Sequence, residues 1–292
     1  MQTILKSKTN EVRITTDGPV TIIGENINPT RRKKLTAALF SGEFDYIFEL
    51  AKSQIETGAD LLDVNVGAPG VDEVTLLPQV ALAITERFDV PLCLDSSNRA
   101  ALAAALKVVP GKPLVNSVNG EEANLSALLP IIKEFGAAVI GLAMDDNGIS
   151  TDPEVRLAIA GKILERAAKL GIPAEDVVID PLVLTVGADQ KAGRVTLTTI
   201  ELVRREFGVN INLGASNVSF GLPDRHTVNQ AFLAVGASAG ASCVITNPEK
   251  LTPIIRATDL LLGRDAFATR FIKDFRKRQT LGLVADGTAT KS

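Results

Sequence analysis

The sequence contains few of the residues that build cross-links, metal sites and membrane spans. Its 292 residues include two cysteines, Cys93 and Cys243, one histidine and no tryptophan. Two thiols in separate apolar runs make neither a disulfide framework nor a zinc cluster, so we expect both to be buried structural residues. The longest low-charge stretch, residues 231–248, is too short and too rich in small polar residues to span a bilayer.

An excess of charge of one sign is also missing. The 31 Lys and Arg residues nearly balance 34 Asp and Glu residues, so no strong field favours nucleic acid or an anionic membrane. The first residues lack the apolar run of a signal peptide. These features predict a soluble, cytoplasmic protein that binds neither nucleic acid nor a membrane.

Short apolar runs alternate with amphipathic runs along most of the chain. The apolar runs lie at 20–28, 61–67, 90–96, 113–119, 138–145, 177–184, 211–219 and 242–247. Runs that are apolar over consecutive residues are typical of parallel strands covered on both faces. Eight strand–helix units in roughly 250 residues predict a (β/α)8 TIM barrel. An open doubly wound sheet is the alternative, but its glycine-rich dinucleotide fingerprint does not follow the first strand.

No linker or compositional break divides the chain, so residues 1–292 are predicted to form a single domain. Its barrel core is expected at about 20–264, followed by a C-terminal helix. The first residues, with TTDG before Pro19, predict a hairpin that closes the bottom of the barrel. The last eight residues, 285–292, are predicted to be frayed.

Every predicted strand ends in Asp, Asn, Glu, Ser or Thr, at the barrel face where binding residues gather. The same residue types also cap helices and turns, so both interpretations stay open for any single position. Asp63, Asp95 and Asp180 favour the pocket, because each follows apolar residues and precedes further strand or loop residues. A carboxylate held there costs desolvation energy unless hydrogen-bond donors meet it.

A pocket rich in Asp and Asn, with no aromatic wall, suits a neutral, flat heterocycle that offers N–H donors. A divalent metal held by oxygen ligands is the rival interpretation. It is weakened because no histidine accompanies the acids and neutral Asn alternates with them. We therefore predict no metal site.

The strand-end motifs resemble those of a known family. They read IIGENIN, LLDVNVG, LCLDSSN, VNSVNGE, IGLAMDDNGI, VVIDPLVL and GASNVSFGLPDR. In order, from about residue 20 to 260, they are similar to the pterin-binding methyltransferases that act on methyltetrahydrofolate and corrinoid proteins. The folate-binding barrel of cobalamin-dependent methionine synthase resembles them more distantly.

The resemblance implies a role for particular residues. Asp95, Asn116 and Asp180 match positions that hydrogen-bond the pterin, and Asn217 matches the asparagine that reaches N5, the nitrogen carrying the methyl group. Asn217 and Asp95 are the predicted catalytic residues. The remaining predicted pterin-binding residues, which line the same mouth, are Asp63, Asn65, Glu25 and Asn28.

The implied reaction moves a methyl group between N5 of tetrahydrofolate and the cobalt of a corrinoid. An amide such as Asn217 can strengthen its hydrogen bond to N5 as the transition state forms. His226 lies in DRHTVN, which lacks the final glycine of the corrinoid-binding pattern DxHxxG. We therefore expect the corrinoid to arrive on a separate partner protein.

Two other functions remain as alternatives. A dihydropteroate synthase-like enzyme would need Lys or Arg on late strands for a pyrophosphate leaving group, whereas these strands end in GASNVSFG and VITNP. A non-catalytic folate-binding subunit is the second alternative.

The resemblance also implies a homodimer, which the small-residue helix at 231–241 would suit. The basic run 31–34 is interpreted as a solvated helix start rather than a contact for a carboxylate tail.

Overall fold

Eight parallel strands form one sheet that curls into a nearly closed barrel in the computed structural model, which describes residues 1–284. The strands are β1 (Gln2–Lys6) and β2 (Glu11–Thr15) of an N-terminal hairpin, then β3 (Thr21–Ile27), β4 (Leu61–Asn65), β5 (Leu92–Asp95), β6 (Leu114–Asn119), β7 (Ala138–Leu142), β8 (Val177–Asp180), β9 (Asn212–Gly214) and β10 (Cys243–Thr246) of the barrel. The barrel order is β8-β7-β6-β5-β4-β3-β10-β9. A single bridge between Ile179 and Ile211 joins β8 to the chain just before β9. The predicted TIM-barrel fold is confirmed.

The helices that cover the barrel alternate with its strands. They are α1 (Lys33–Ser41), α2 (Asp45–Glu56), α3 (Glu73–Arg87), α4 (Arg99–Leu106), α5 (Glu122–Phe135), α6 (Pro153–Lys169), α7 (Ala192–Phe207), α8 (Arg225–Ala239), α9 (Pro248–Leu261) and α10 (Thr269–Thr280). Polar residues cap several of them: the Asn98 side chain accepts hydrogen bonds from the backbone N–H groups of Ala100 and Ala101. Because Asn98 caps α4, Asp95 is left available for the barrel mouth.

The N-terminal hairpin closes the bottom of the barrel, as predicted. Leu5 and Ile14 are fully buried against the lower barrel interior. The Asn210 side chain donates a hydrogen bond to the Ile14 carbonyl at 2.9 Å, which ties the hairpin to the strand region that follows α7. The turn lies at residues 7–10 between the two strands, whereas TTDG at 15–18 follows the second strand and leads into the barrel.

Other expectations can be compared with the fold directly. Both cysteines are buried and free, as expected. The strand predicted at 211–219 is shorter than expected, because residues 215–217 turn into a 3-10 helix. The predicted C-terminal helix is α10, and the tail expected to be frayed lies outside the described residues. Among the described helices, none combines the length and apolar character needed to cross a membrane.

Candidate active site

Three polar residues lie side by side on β4, β5 and β6: two of them end β4 and β5, and the third lies in the middle of β6. Asn65 pairs in register with Asp95, and Asp95 pairs with Asn116. The Asn65 amide donates to the Asp95 carboxylate at 2.9 Å, and the Asn116 amide reaches down to the Asp63 carboxylate at 3.3 Å. The barrel thus brings four of the predicted site residues together as two amide–carboxylate pairs.

The two carboxylates in these pairs are short of hydrogen-bond donors. Asp63 is only 2% exposed, and burial raises its pKa well above the ordinary range. The charge of Asp95 raises the pKa of Asp63 further. Burial also raises the pKa of Asp95, although the hydrogen bond from Asn65 opposes that shift. A ligand that supplied N–H donors here would stabilise the ionised carboxylates.

Asp180 ends β8, on the other side of the barrel mouth. Its carboxylate accepts hydrogen bonds from the Leu182 backbone N–H at 2.8 Å and from the Asn212 amide at 2.6 Å. The Asn212 bond spans the β8–β9 seam, where the backbone pairing is a single bridge. Despite these donors, burial raises the pKa of Asp180 to about 6. Asn212 is not among the predicted site residues, because its only signal in the sequence is a polar residue inside an apolar run.

The loop after Asp180 is held by another residue that the sequence analysis missed. Arg156 on α6 is fully buried, and its Nη1 donates to the Pro181 and Leu182 carbonyls at 2.9 Å each. Its Nε donates to the Ser150 carbonyl at 2.6 Å. The guanidinium therefore fixes the chain that carries the Leu182 N–H to the Asp180 carboxylate.

Asn217 lies near Asp180 at the exposed rim of the mouth. The position that a Cβ would take on Gly214 is 3.9 Å from both the Asn217 Nδ2 and the Asp180 Oδ2. The Asn217 side chain is exposed and has no hydrogen-bond partner among residues 1–284. Its amide is free to bond a ligand that lies over Asp180.

Glu25 is a half-buried residue near the end of β3, and it faces the segment that carries Asn217. The Ser216 hydroxyl donates to its carboxylate at 3.2 Å. Burial raises the pKa of Glu25, while the Ser216 bond and the charges of Arg32 and Arg225 oppose the shift. Glu25 therefore links the acidic centre of the mouth to a more basic rim.

The remaining predicted residue, Asn28, has a local structural role. Its side chain accepts a hydrogen bond from the Thr30 backbone N–H at 3.0 Å, so it stabilises the turn after β3. In the basic run that follows, Arg32 differs from its exposed neighbours. It donates a hydrogen bond to the Asn26 side chain at 2.6 Å and lines the mouth.

Comparison with known proteins assigns the family. Residues 24–247 match the family described as pterin binding enzyme. The chain belongs to this family. This pterin-binding enzyme is 29% identical to the methylcorrinoid:tetrahydrofolate methyltransferase of Eubacterium limosum, over 88% of this chain and 96% of that protein.

The other similar proteins include longer chains and solved structures. The chain is 30% identical over 94% of its length to the methionine synthase of Mycobacterium tuberculosis, of which it spans 24%. Among solved structures, DHPS from Yersinia pestis with a pterine-sulfa conjugate has a TM-score of 0.70 at 16% identity, covering 89% of this chain and 99% of that one. The 7,8-dihydropteroate synthase of Vibrio fischeri ES114 has a TM-score of 0.69 at 18% identity, covering 90% and 99%. These two structures support the barrel fold alone.

We expect the stability of Asp180→Asn, measured relative to the natural chain, to increase as pH rises from 4 to 7. The pKa of Asp180 is raised by folding, so its ionisation stabilises the unfolded chain, and the associated stability is lost as pH rises through about 6. Because folding raises the pKa of Asp180 from 3.8 to about 6, the change in the free energy of unfolding is roughly 3 kcal/mol. Urea unfolding of both chains at pH 4, 5, 6 and 7 measures this difference.

The pH dependence separates this effect from any change in packing. Asparagine at 180 keeps an oxygen for the Leu182 N–H, and a packing change would shift stability equally at every pH. Asp152→Asn is the matched control, since Asp152 caps α6 at the surface and asparagine caps equally well. A difference between Asp180→Asn and the natural chain that stays constant from pH 4 to 7 would contradict the prediction.

Proposed function

We propose that this enzyme transfers a methyl group between N5 of tetrahydrofolate and the cobalt of a corrinoid carried by a partner protein. The observation that carries the proposal is a set of three carboxylates at the mouth whose pKa values are raised by burial: Asp63 and Asp180, which are buried, and Asp95, which is half-buried. Such a set suits the N–H-rich edge of a pterin. The match to nearly the whole of a methylcorrinoid:tetrahydrofolate methyltransferase supports the corrinoid as the other substrate.

Binding begins with the pterin ring in the mouth of the barrel. Asp95 and Asp180 accept N–H bonds from the heterocycle, and Asn116 offers both a donor and an acceptor. Asp63 supports Asn116 from below through their hydrogen bond. The ring is thereby held with N5 towards Asn217, at the side of the mouth that is open to solvent.

Methyl transfer breaks the bond between N5 and the methyl carbon while the carbon forms a bond to the cobalt of the reduced corrinoid, and the electron pair of the broken bond stays on N5. The amide of Asn217 donates a hydrogen bond to N5, and this bond strengthens as charge develops there. A proton then reaches N5 from water or through the network that contains Asp95 and Asp63. In the reverse direction the N5 lone pair attacks the methyl group on the corrinoid, the electron pair of the broken cobalt–carbon bond stays on cobalt, and N5 gives up its proton.

The partners follow from the open mouth. A corrinoid protein docks over the C-terminal ends of the strands, where the exposed Asn217 side chain bonds N5 of the bound folate. The small residues of α8 support a homodimer formed through that helix. We further propose that the protein works in the cytoplasm.

Spectroscopy of the corrinoid tests the function directly. With methyltetrahydrofolate, the enzyme should convert cob(I)alamin to methylcobalamin, and with tetrahydrofolate it should accelerate the reverse reaction. The spectrum of the corrinoid reports both directions. Product formed from a pterin pyrophosphate and p-aminobenzoate would instead favour the dihydropteroate synthase alternative. Folate binding without methyl transfer in either direction would favour a non-catalytic subunit.

A further inference from the structure

A basic cavity of about 360 Å³ opens beside Glu25, between the end of β3 and the starts of α8 and α9. Three cationic side chains line it: Arg32, Arg225 and Lys250. A volume of this size lies within the range of roughly 300–1,000 Å³ that is usual for ligand pockets. The cavity adjoins the acidic mouth through Glu25, yet its own lining is mainly positive.

The three cationic side chains of this cavity differ in their hydrogen-bond partners. Arg32 donates to the Asn26 side chain and Arg225 donates to the Ser216 carbonyl, each at 2.6 Å, so both guanidinium groups are held in place. Among residues 1–284, the ammonium group of Lys250 has no carboxylate within 4.0 Å and no hydrogen-bond partner. Glu25 supplies one carboxylate on the lining against three cationic side chains, so the balance of charge there is positive. The cavity therefore attracts an anion.

A buried amide in the cavity provides a second, independent sign of a ligand. Asn229 on α8 is only 8% exposed, and its Oδ1 has no hydrogen-bond partner among the described residues. Buried polar atoms are nearly always paired, so this atom is an exception that calls for a partner. Because an amide carries both donors and an acceptor, Asn229 can bond either the oxygens or the N–H groups of a peptide-like carboxylate chain.

We propose that this cavity binds the glutamate tail of the folate substrate, with Lys250 and Arg32 facing its carboxylates and Asn229 bonding its amide. This proposal rests on the proposed function, because it needs the pterin ring of the same molecule in the barrel mouth. Glu25 and Ser216, which meet at the rim of the mouth, also line the cavity, so the two sites adjoin and one folate molecule can reach both. Charge-assisted hydrogen bonds to guanidinium and ammonium groups are strong enough to discriminate between tails of different length.

Ligands that differ only in the tail test this proposal. The dissociation constants of tetrahydropteroate, tetrahydrofolate and its triglutamate are measured with the natural chain and with Lys250→Gln. We expect the natural chain to bind the triglutamate about 10-fold more tightly than tetrahydropteroate. In Lys250→Gln this gain should fall to about 3-fold or less, while the affinity for tetrahydropteroate stays the same. Lys52→Gln, at an exposed lysine of α2, is the matched control and should behave like the natural chain.

Each other outcome has a definite meaning. Equal affinity of the natural chain for all three ligands, or an equal loss for all three in Lys250→Gln, overturns the tail site and leaves the proposed function intact. Failure of the natural chain to bind any of them overturns the proposed function itself. A higher KM for the corrinoid protein in Lys250→Gln, with unchanged affinity for the triglutamate, would assign the cavity to a phosphate of the corrinoid. Tight binding of inorganic pyrophosphate that Lys250→Gln abolishes would assign it to a pyrophosphate. Both of these results overturn the tail site.

Discussion

Replacing Asn217 with alanine should lower the rate of methyl transfer roughly 100- to 1,000-fold, which is the usual effect of removing one donor from a developing negative charge. The affinity for tetrahydrofolate should change less than about 3-fold. The two effects differ because the bond from Asn217 to N5 matters most when the methyl group leaves and the electron pair settles on nitrogen. In the ground state the ring is held by the carboxylates on the strands instead.

The position of Asn217 allows its substitution to be tested without disturbing the fold. The Asn217 side chain is exposed and contacts no hydrogen-bond partner among residues 1–284, so alanine at 217 leaves the fold intact. Single-turnover rates measured with the corrinoid protein give the chemical step, and folate titration gives the affinity. Asn147→Ala is the matched control, because Asn147 is an exposed asparagine in the turn after β7. Equal losses in rate and affinity, or no loss in either, would rule out the role assigned to Asn217.

The parts of the site that depend on strand periodicity could be predicted from the sequence. Parallel barrel strands end at one face, so acids directly after apolar runs must gather there. Asp63, Asp95 and Asp180 follow this rule: Asp63 and Asp180 are buried at that face, and Asp95 is half-buried there. The choice between cap and pocket for Asp95 was also open to prediction, since Asn98 lies at the helix start and supplies the cap.

The parts that depend on long-range contacts could not be predicted. Asn212 reaches Asp180 across a seam that only the closure of the barrel brings together. Arg156 is fully buried although arginine is rarely so, because three backbone carbonyls from two loops converge on its guanidinium group. The three cationic residues of the basic cavity come from three separate segments of the chain, so no short sequence motif predicts it.

Replacing Asp95 with asparagine should weaken tetrahydrofolate binding roughly 100-fold, because a hydrogen bond from a ligand N–H to a carboxylate contributes about 1.5–3 kcal/mol. Asparagine has nearly the same shape, but it offers one acceptor and one donor where the carboxylate offers two acceptors. Its amide would also face the Asn65 amide, which donates to Asp95 at 2.9 Å. Equilibrium titration with tetrahydrofolate measures the loss, and Asp152→Asn again removes a surface carboxylate as the control. An unchanged affinity in Asp95→Asn would place the pterin elsewhere in the mouth.

The same variant separates holding the pterin from delivering a proton. Because the charge of Asp95 raises the pKa of Asp63, its removal should lower the pKa of Asp63 towards the ordinary range. If Asp95 only holds the ring, saturating folate restores the rate of methyl transfer and its pH profile stays in place. If Asp95 and Asp63 also pass a proton to N5, the rate stays low at saturation. In that case the pH above which the saturated rate of methyl transfer declines should be lower in Asp95→Asn, because the pKa of Asp63 is lower. The pH dependence of the saturated rate therefore distinguishes a carboxylate that binds from one that also takes part in the chemistry.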